Sequence, residues 1–386
     1  EKGTIYGGES NLARGLDNIM RLYSPEIIGV LTTCLAETIG EDVKQICGRY
    51  LQDREKADFP LVTVATPGYG GSHSEGYFLA LKEIIASLAE PGRKHSKINV
   101  IVPNLSPADL REIKRIFDLM QVEYILCPDI SETMDMPFVR PYQKIPVGGT
   151  HIKDIKSMGN AAATIQMGLT VDEKISPGHY LKKTFDIPLY TLPIPMGIKA
   201  TDRLLEILSE LSGHTIPGSL RQERGRLLDG MIDSHKYNAQ GRCVVFGEPE
   251  LAYAVTSVCL ENGLVPALIA TGTRSDQLNQ LLQEKWQEDP DELCLLQEAD
   301  FVSIRSAFRE KGINLAIGHS DGRFLTERED IPLVRIGYPI HDRIGGQRIL
   351  SVGYSGTIQF LDRITNTLLE NKQQHYRADM YQRYFA

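Results

Sequence analysis

Short apolar runs recur along this chain, separated by longer stretches in which apolar residues return every three or four positions. The runs at 27–32, 61–65, 98–102, 124–126, 244–246, 267–270, 315–317 and 333–336 are rich in Val, Ile and Leu. Such runs read as parallel strands covered on both faces. The stretches between them read as helices. Leu35, Ile39, Val43 and Ile46 form one apolar stripe, predicting an amphipathic helix that follows directly on the first strand. Leu110, Ile113, Phe117 and Met120 form another, behind Ser106 as N-cap and Pro107 as first helical residue. The segment from Cys243 to Thr273 reads as a complete βαβ unit whose helix stops at Gly263.

Strand and helix alternating in this way predict an α/β fold of three Rossmann-like, doubly wound domains with mainly parallel sheets. The expected units are 1–95, 96–215 and 216–386, with a long helix at 220–235 before the last sheet. At 386 residues there is chain enough for several cores.

Composition narrows the function. A net charge of -8 argues against a general nucleic-acid surface, which needs clustered Lys and Arg. No apolar run approaches the roughly 20 residues that span a bilayer, and no signal-peptide pattern opens the sequence. Neither a nucleic-acid nor a membrane partner is therefore expected. The six cysteines, at 34, 47, 127, 243, 259 and 294, form no CxxC pair. Their scatter suits a reducing, cytoplasmic setting. Any metal site needs ligands from distant segments or from another chain.

In open α/β sheets, ligands sit beyond the carboxyl ends of the strands. Four loops there carry unusual residues: TTCLAETIG (32–40), TPGYGGSHSEGY (66–77), GEPE (247–250) and GHSDGRF (318–324). Cys34 falls at a strand-to-helix turn, where free amides and the helix dipole stabilise a thiolate. It is either a metal ligand or nucleophile, or a small buried residue in a tight turn. Ser72 is either an N-cap completing a capping box with Glu75, or part of one ligand shell with Cys34. GEPE lacks the glycines of a dinucleotide site, and no Walker A sequence occurs. His319 and His341 read as hydrogen-bonding residues, and Asp321 and Asp342 as turn or capping residues.

YGGESNLARGLDNIMRLYSPEIIGVLTTCLAETIGEDV resembles the β-type subunits of the nitrogenase component 1 family. The likeness continues in order through TPGYGGSHSEGY, PVGGT, PIPMGIKATD, ERGRLLDGMIDSHKY, FGEPE and PLVRIGYPIHDR…VGYSG, over essentially the whole chain. The resemblance implies three α/β domains per subunit. It also implies pairing with a homologous α-type subunit as an α2β2 heterotetramer, and docking of an ATP-dependent iron protein. It makes Cys34 a ligand of an iron–sulfur cluster shared across that interface, either a P-cluster (8Fe-7S) or a smaller 4Fe-4S cluster. Ser72 becomes the serine whose hydroxyl can ligate an oxidised iron. Gly70 and Gly71 become cluster-loop backbone. Tyr6, Thr38, Ile39 and Gly40 lie near the docking face of the iron protein. The substrate-reducing cofactor is expected in the α-type partner, so no catalytic residue is assigned here. Dinitrogen is the default substrate.

Two further cluster cysteines of the catalytic β-chains, in C-x-P-x-G and G-x-x-G-C turns, do not occur in this sequence. Either a segment carrying them precedes Glu1, or the chain is naturally short and suits a smaller cluster; the second case, with HDRIGGQRILSVGYSG near the end, keeps a further expectation open, a β-like subunit of the scaffold complex on which the nitrogenase cofactor is assembled.

Overall fold

The computed structural model describes residues 8–285, 294–308 and 310–385. Its first elements are helix α1 (Glu9–Tyr23), strand β1 (Ile28–Leu31), a single turn of helix α2 (Cys34–Thr38), α3 (Val43–Asp53), β2 (Leu61–Val64) and α4 (His73–Leu88). The strands pair in parallel, Ile28 opposite Leu61 through Leu31 opposite Val64. Leu16, Ile28, Val43, Cys47 and Tyr50 form the core beneath them. Asp17 on α1 holds α3 by accepting hydrogen bonds from the Tyr50 hydroxyl at 2.9 Å and the Arg54 guanidinium at 2.7 Å.

The single helix expected from the 35–46 stripe is not formed. Gly40 takes a φ of +75°, a conformation costly for any residue with a Cβ, and breaks the stripe. Asp42 then caps α3 by accepting the Gln45 amide at 2.9 Å. Val43 and Ile46 are buried as the pattern requires, whereas Leu35 and Ile39 lie in the exposed half.

The second sheet has the order β4–β3–β5–β6, from β3 (Ile98–Ile101), β4 (Tyr124–Cys127), β5 (Ala163–Met167) and β6 (Leu189–Leu192). Its helices in chain order are α5 (Pro107–Leu119), α6 (Ile152–Ser157), α7 (Pro177–Phe185) and α8 (Gly197–Ser212). Helix α5 is built as its sequence predicts: Ser106 accepts the Asp109 amide at 3.0 Å, and Leu110, Ile113, Phe117 and Met120 are all buried. Strands β5 and β6 escape a search for aliphatic runs. In β5, Thr164 and Gln166 are buried polar residues, and the Asn99 side chain donates to Thr164 Oγ1 at 3.1 Å within the sheet.

The third sheet has the order β11–β10–β7–β8–β9. After α9 (Gly218–Asn238) come β7 (Arg242–Phe246), α10 (Pro249–Glu261), β8 (Val265–Ala270), α11 (Asp276–Lys285), β9 (Leu295–Leu296) and α12 (Phe301–Phe308). Then follow β10 (Leu315–Gly318), α13 (Arg323–Glu329), β11 (Leu333–Arg335) and α14 (Gly353–Phe385). The βαβ unit expected at 243–273 is β7–α10–β8, with parallel strands and Gly263 at φ +78° beyond the helix. Succession runs outward from β7 through β8 to β9, then returns to the other side of β7 for β10 and β11.

The chain divides into two compact units. One comprises Glu1–Ile101, Ile125–Gln166 and Val171–Tyr190; the other comprises Val102–Tyr124, Met167–Thr170 and Thr191–Ala386. Each of the three stretches 1–95, 96–215 and 216–386 contains one of the sheets, and the class is α/β with parallel strands.

Candidate functional site

Strands β1 and β2 end level with one another, so the chain leaves both at the same edge of the sheet. Just beyond, Thr32 and Thr66 clasp the two segments. The Thr66 amide donates to Thr32 Oγ1 at 3.1 Å, and Thr66 Oγ1 donates to the Thr32 carbonyl at 3.0 Å. Two residues further on, the Gly68 amide donates to Cys34 Sγ at 3.0 Å. The sequence thus places Cys34 and the glycine-rich loop on one rim, and the fold joins them through this bond.

Cys34 is exposed, whereas Cys47, Cys127, Cys243 and Cys259 are buried and Cys294 is intermediate. Burial pushes the Cys47 thiol up and the Cys127 thiol up to about 12, which keeps both in the unreactive protonated form. Cys259 is also raised, first by its hydrogen bond with Cys243 and then by burial. Among the six, the exposed thiol is Cys34.

Ser72 caps α4. Its hydroxyl accepts the Glu75 amide at 3.3 Å, while the Glu75 carboxylate accepts the Ser72 amide at 2.6 Å, completing the capping box that the spacing foretells. Gly70 closes a tight turn by donating to the Pro67 carbonyl at 2.8 Å. At Gly71 a Cβ would come within 3.0 Å of the Glu75 carboxylate.

Of the four residues expected at the docking face, Thr38, Ile39 and Gly40 are exposed, and the Thr38 hydroxyl donates to the Cys34 carbonyl at 2.7 Å. Tyr6 lies outside the described residues. Around Cys34 the surface is unexpectedly apolar: Leu31 is 59% exposed, Leu35 54% and Tyr69 67%. The stripe reading assigned Leu35 to a buried face. No feature of the sequence taken alone distinguishes an apolar residue that faces a core from one that faces a partner.

The other loops have different uses. Glu250 of GEPE is buried and accepts the amides of Leu169 and Thr170 at 2.9 and 2.6 Å, and the Thr170 hydroxyl at 2.5 Å. Burial pushes its carboxyl up, against the pull of these donors. Asp342 is no turn cap: it forms a two-oxygen ion pair with Arg335, closest approach 2.7 Å, its side chain 2% exposed. Asp321 does sit in a turn, the 3-10 segment Ser320–Gly322.

The described residues contain no helix long and apolar enough to cross a membrane. The family model for "Nitrogenase component 1 type Oxidoreductase" matches residues 1–369. The nitrogenase molybdenum-iron protein beta chain of Clostridium pasteurianum is 36% identical over 377 residues, 96% of this chain and 81% of that protein. The vanadium-iron protein beta chain of Trichormus variabilis is 32% identical, covering 98% of this chain and 83% of its own. The iron-iron protein beta chain of Rhodobacter capsulatus is 30% identical, covering 97% and 82%. A solved structure of nitrogenase Cp1 at pH 6.5 superposes with a TM-score of 0.90 at 35% identity, over 96% of this chain and 81% of that one. On the family match and on relatives alike along nearly its whole length, this chain belongs to the nitrogenase component 1 type oxidoreductases, as one of their β-type chains.

Proposed function

We propose that this chain is the β-type subunit of a nitrogenase component 1-like reductase, holding an iron–sulfur cluster jointly with an α-type subunit through Cys34. The observation that carries the reading is an exposed thiol, held by the Gly68 amide, inside an apolar surface. An exposed apolar patch of this kind marks a surface made to be covered. Cys34 supplies one thiolate, and the partner supplies ligands on the other side. The Gly68 amide donates to the sulfur and thereby steadies negative charge on it, as amide donors around a metal site do. Ser72 holds the start of α4 through its cap and presents its hydroxyl on the same rim. When bound, the cluster provides one-electron transfer between an ATP-dependent iron protein and the cofactor of the partner. Thr38, Ile39 and Gly40, with Tyr6, form part of the surface that receives the iron protein. The assembly is an α2β2 heterotetramer in the cytoplasm, acting on dinitrogen or a related substrate.

The test uses the assembled complex. Cys34→Ala is expected to lose or alter the interface cluster, read as iron content and the EPR spectrum of the purified particle. Unchanged iron and an unchanged spectrum sink the proposal. Electron transfer to bound substrate by the intact complex separates a reductase from an assembly scaffold, which would carry the cluster without turnover.

A further inference from the structure

The second and third sheets have four and five strands, whereas among the described residues β2 pairs with β1 alone. Parallel strands are ordinarily found inside larger, covered sheets. The Pro60 carbonyl accepts the Ile28 amide at 3.0 Å, and the Val64 carbonyl accepts the Thr32 amide at 3.1 Å. Successive residues of a strand turn their backbone groups to opposite edges. Leu61, Thr63 and Ala65 therefore direct their amides and carbonyls away from β1, along an edge ready to pair.

That edge is the floor of a cleft of about 470 Å³. Cys47, Gly48 and Leu51 of α3 and Leu79 and Glu83 of α4 line it beside the three edge residues. A strand recessed between two helices cannot meet the edge of another helix-covered sheet, whose own helices would collide with α3 and α4. It admits a single extended segment. Gly48 fits such a visitor. It stands in mid-helix, where glycine is disfavoured, and a Cβ there would meet nothing within 4 Å. No packing inside the chain calls for its bare backbone, whereas a segment lying close against α3 does.

We propose that an extended segment of the α-type partner lies in this cleft as a third strand, bonded to Leu61, Thr63 and Ala65. The choice of occupant rests on the shared-cluster reading above. Ala65 runs directly into Thr66, which clasps the segment after β1, and then to Gly68, which bonds Cys34. A segment laid parallel along β2 thus ends at the rim that holds Cys34, where the other chain has to place its own ligands. Its successive side chains face α3 and α4 in turn. Those facing α3 meet Cys47 and Leu51 and are expected to be apolar. Those facing α4 meet Glu83 as well as Leu79 and tolerate a polar or basic residue.

Hydrogen-exchange mass spectrometry of the lone chain and of the assembled complex reads the edge directly. Peptides spanning residues 60–66 are expected to exchange at least tenfold more slowly in the complex. Gly48→Trp fills the cleft and is expected to weaken association with the α-type subunit at least tenfold, measured by sedimentation, while the lone chain melts as the wild type does. Should that variant fail to fold, the exchange of the wild type decides alone. Unchanged exchange on assembly overturns the proposal. So does protection already present in the lone chain, which would mean that the chain fills the cleft itself, and so does wild-type affinity in a folded Gly48→Trp. The two readings fail separately. Iron lost in Cys34→Ala with no protection at 60–66 leaves the cluster without this strand, and protection at 60–66 in a complex whose iron ignores Cys34 leaves the strand without the cluster.

Discussion

At the scale of single residues, the chemistry that could be read from the chain was chemistry enforced by near neighbours. Ser72 and Glu75 are three apart, and a capping box needs nothing else. Asp342 shows the opposite case. Its Arg335 partner is seven residues away across a loop, and a turn was the simpler reading of the local sequence. The Arg335 guanidinium beside Asp342 holds its carboxyl well below the usual carboxylate range. A carboxyl that ionises more readily folded than unfolded adds stability above its unfolded pKa, and that stability drains away as pH falls. Asp342→Asn should therefore cost about 3 kcal/mol at pH 7, as for one partner of a shielded pair. The difference from wild type should shrink as pH falls below about 4. Denaturant unfolding of both proteins across pH 3 to 7 measures it, and a constant difference would show that the pair does not titrate in this way.

Among elements, periodicity identified what packs against this chain's own core and misjudged what does not. Helix α5 follows its stripe residue by residue. The 35–46 stripe has equally regular spacing, yet Gly40 divides it into α2 and α3, and the apolar residues before the break stay exposed. Placing alanine at Gly40 forces a Cβ into the left-handed region while meeting no other atom within 4 Å, so the cost is conformational alone. Gly40→Ala should destabilise by about 1 kcal/mol and Gly40→Asn by less, read from chemical unfolding midpoints. A neutral alanine would mean that α2 runs on into α3 in solution. The missed strand β5 has a related cause. The side-chain oxygens of Thr164 and Gln166 are bonded inside: Thr164 Oγ1 accepts from Asn99, and Gln166 Oε1 accepts the Ser176 hydroxyl and the Gly178 amide at 2.9 and 2.8 Å. Hydropathy patterns are blind to such internal pairing.

For the molecule as a whole, the α/β class was legible because every sheet is fed by the same alternation of short apolar run and helix. The site was legible only as a list of loops. Which side chains meet depends on how far each strand runs before its loop begins, and hydropathy fixes that only to within a few residues. The proposed shared cluster has one consequence at this scale. The purified chain without its partner should hold little iron, since Cys34 is the exposed thiol at that rim. Iron and sulfide analysis of the lone chain measures this, and a stoichiometric cluster there would contradict the shared-ligand reading.

The clasp between Thr32 and Thr66 and the bond from Gly68 to Cys34 both join positions 34 residues apart. Parallel strands advance about 3.3 Å per residue. Inserting or deleting a single residue between either strand and its loop would thus carry the amide out of reach of the sulfur, however well the new residue suited its surroundings. The count of residues along these two short segments, more than the identity of most of them, decides whether amide and sulfur meet, and α3 between them is pinned separately by its own packing.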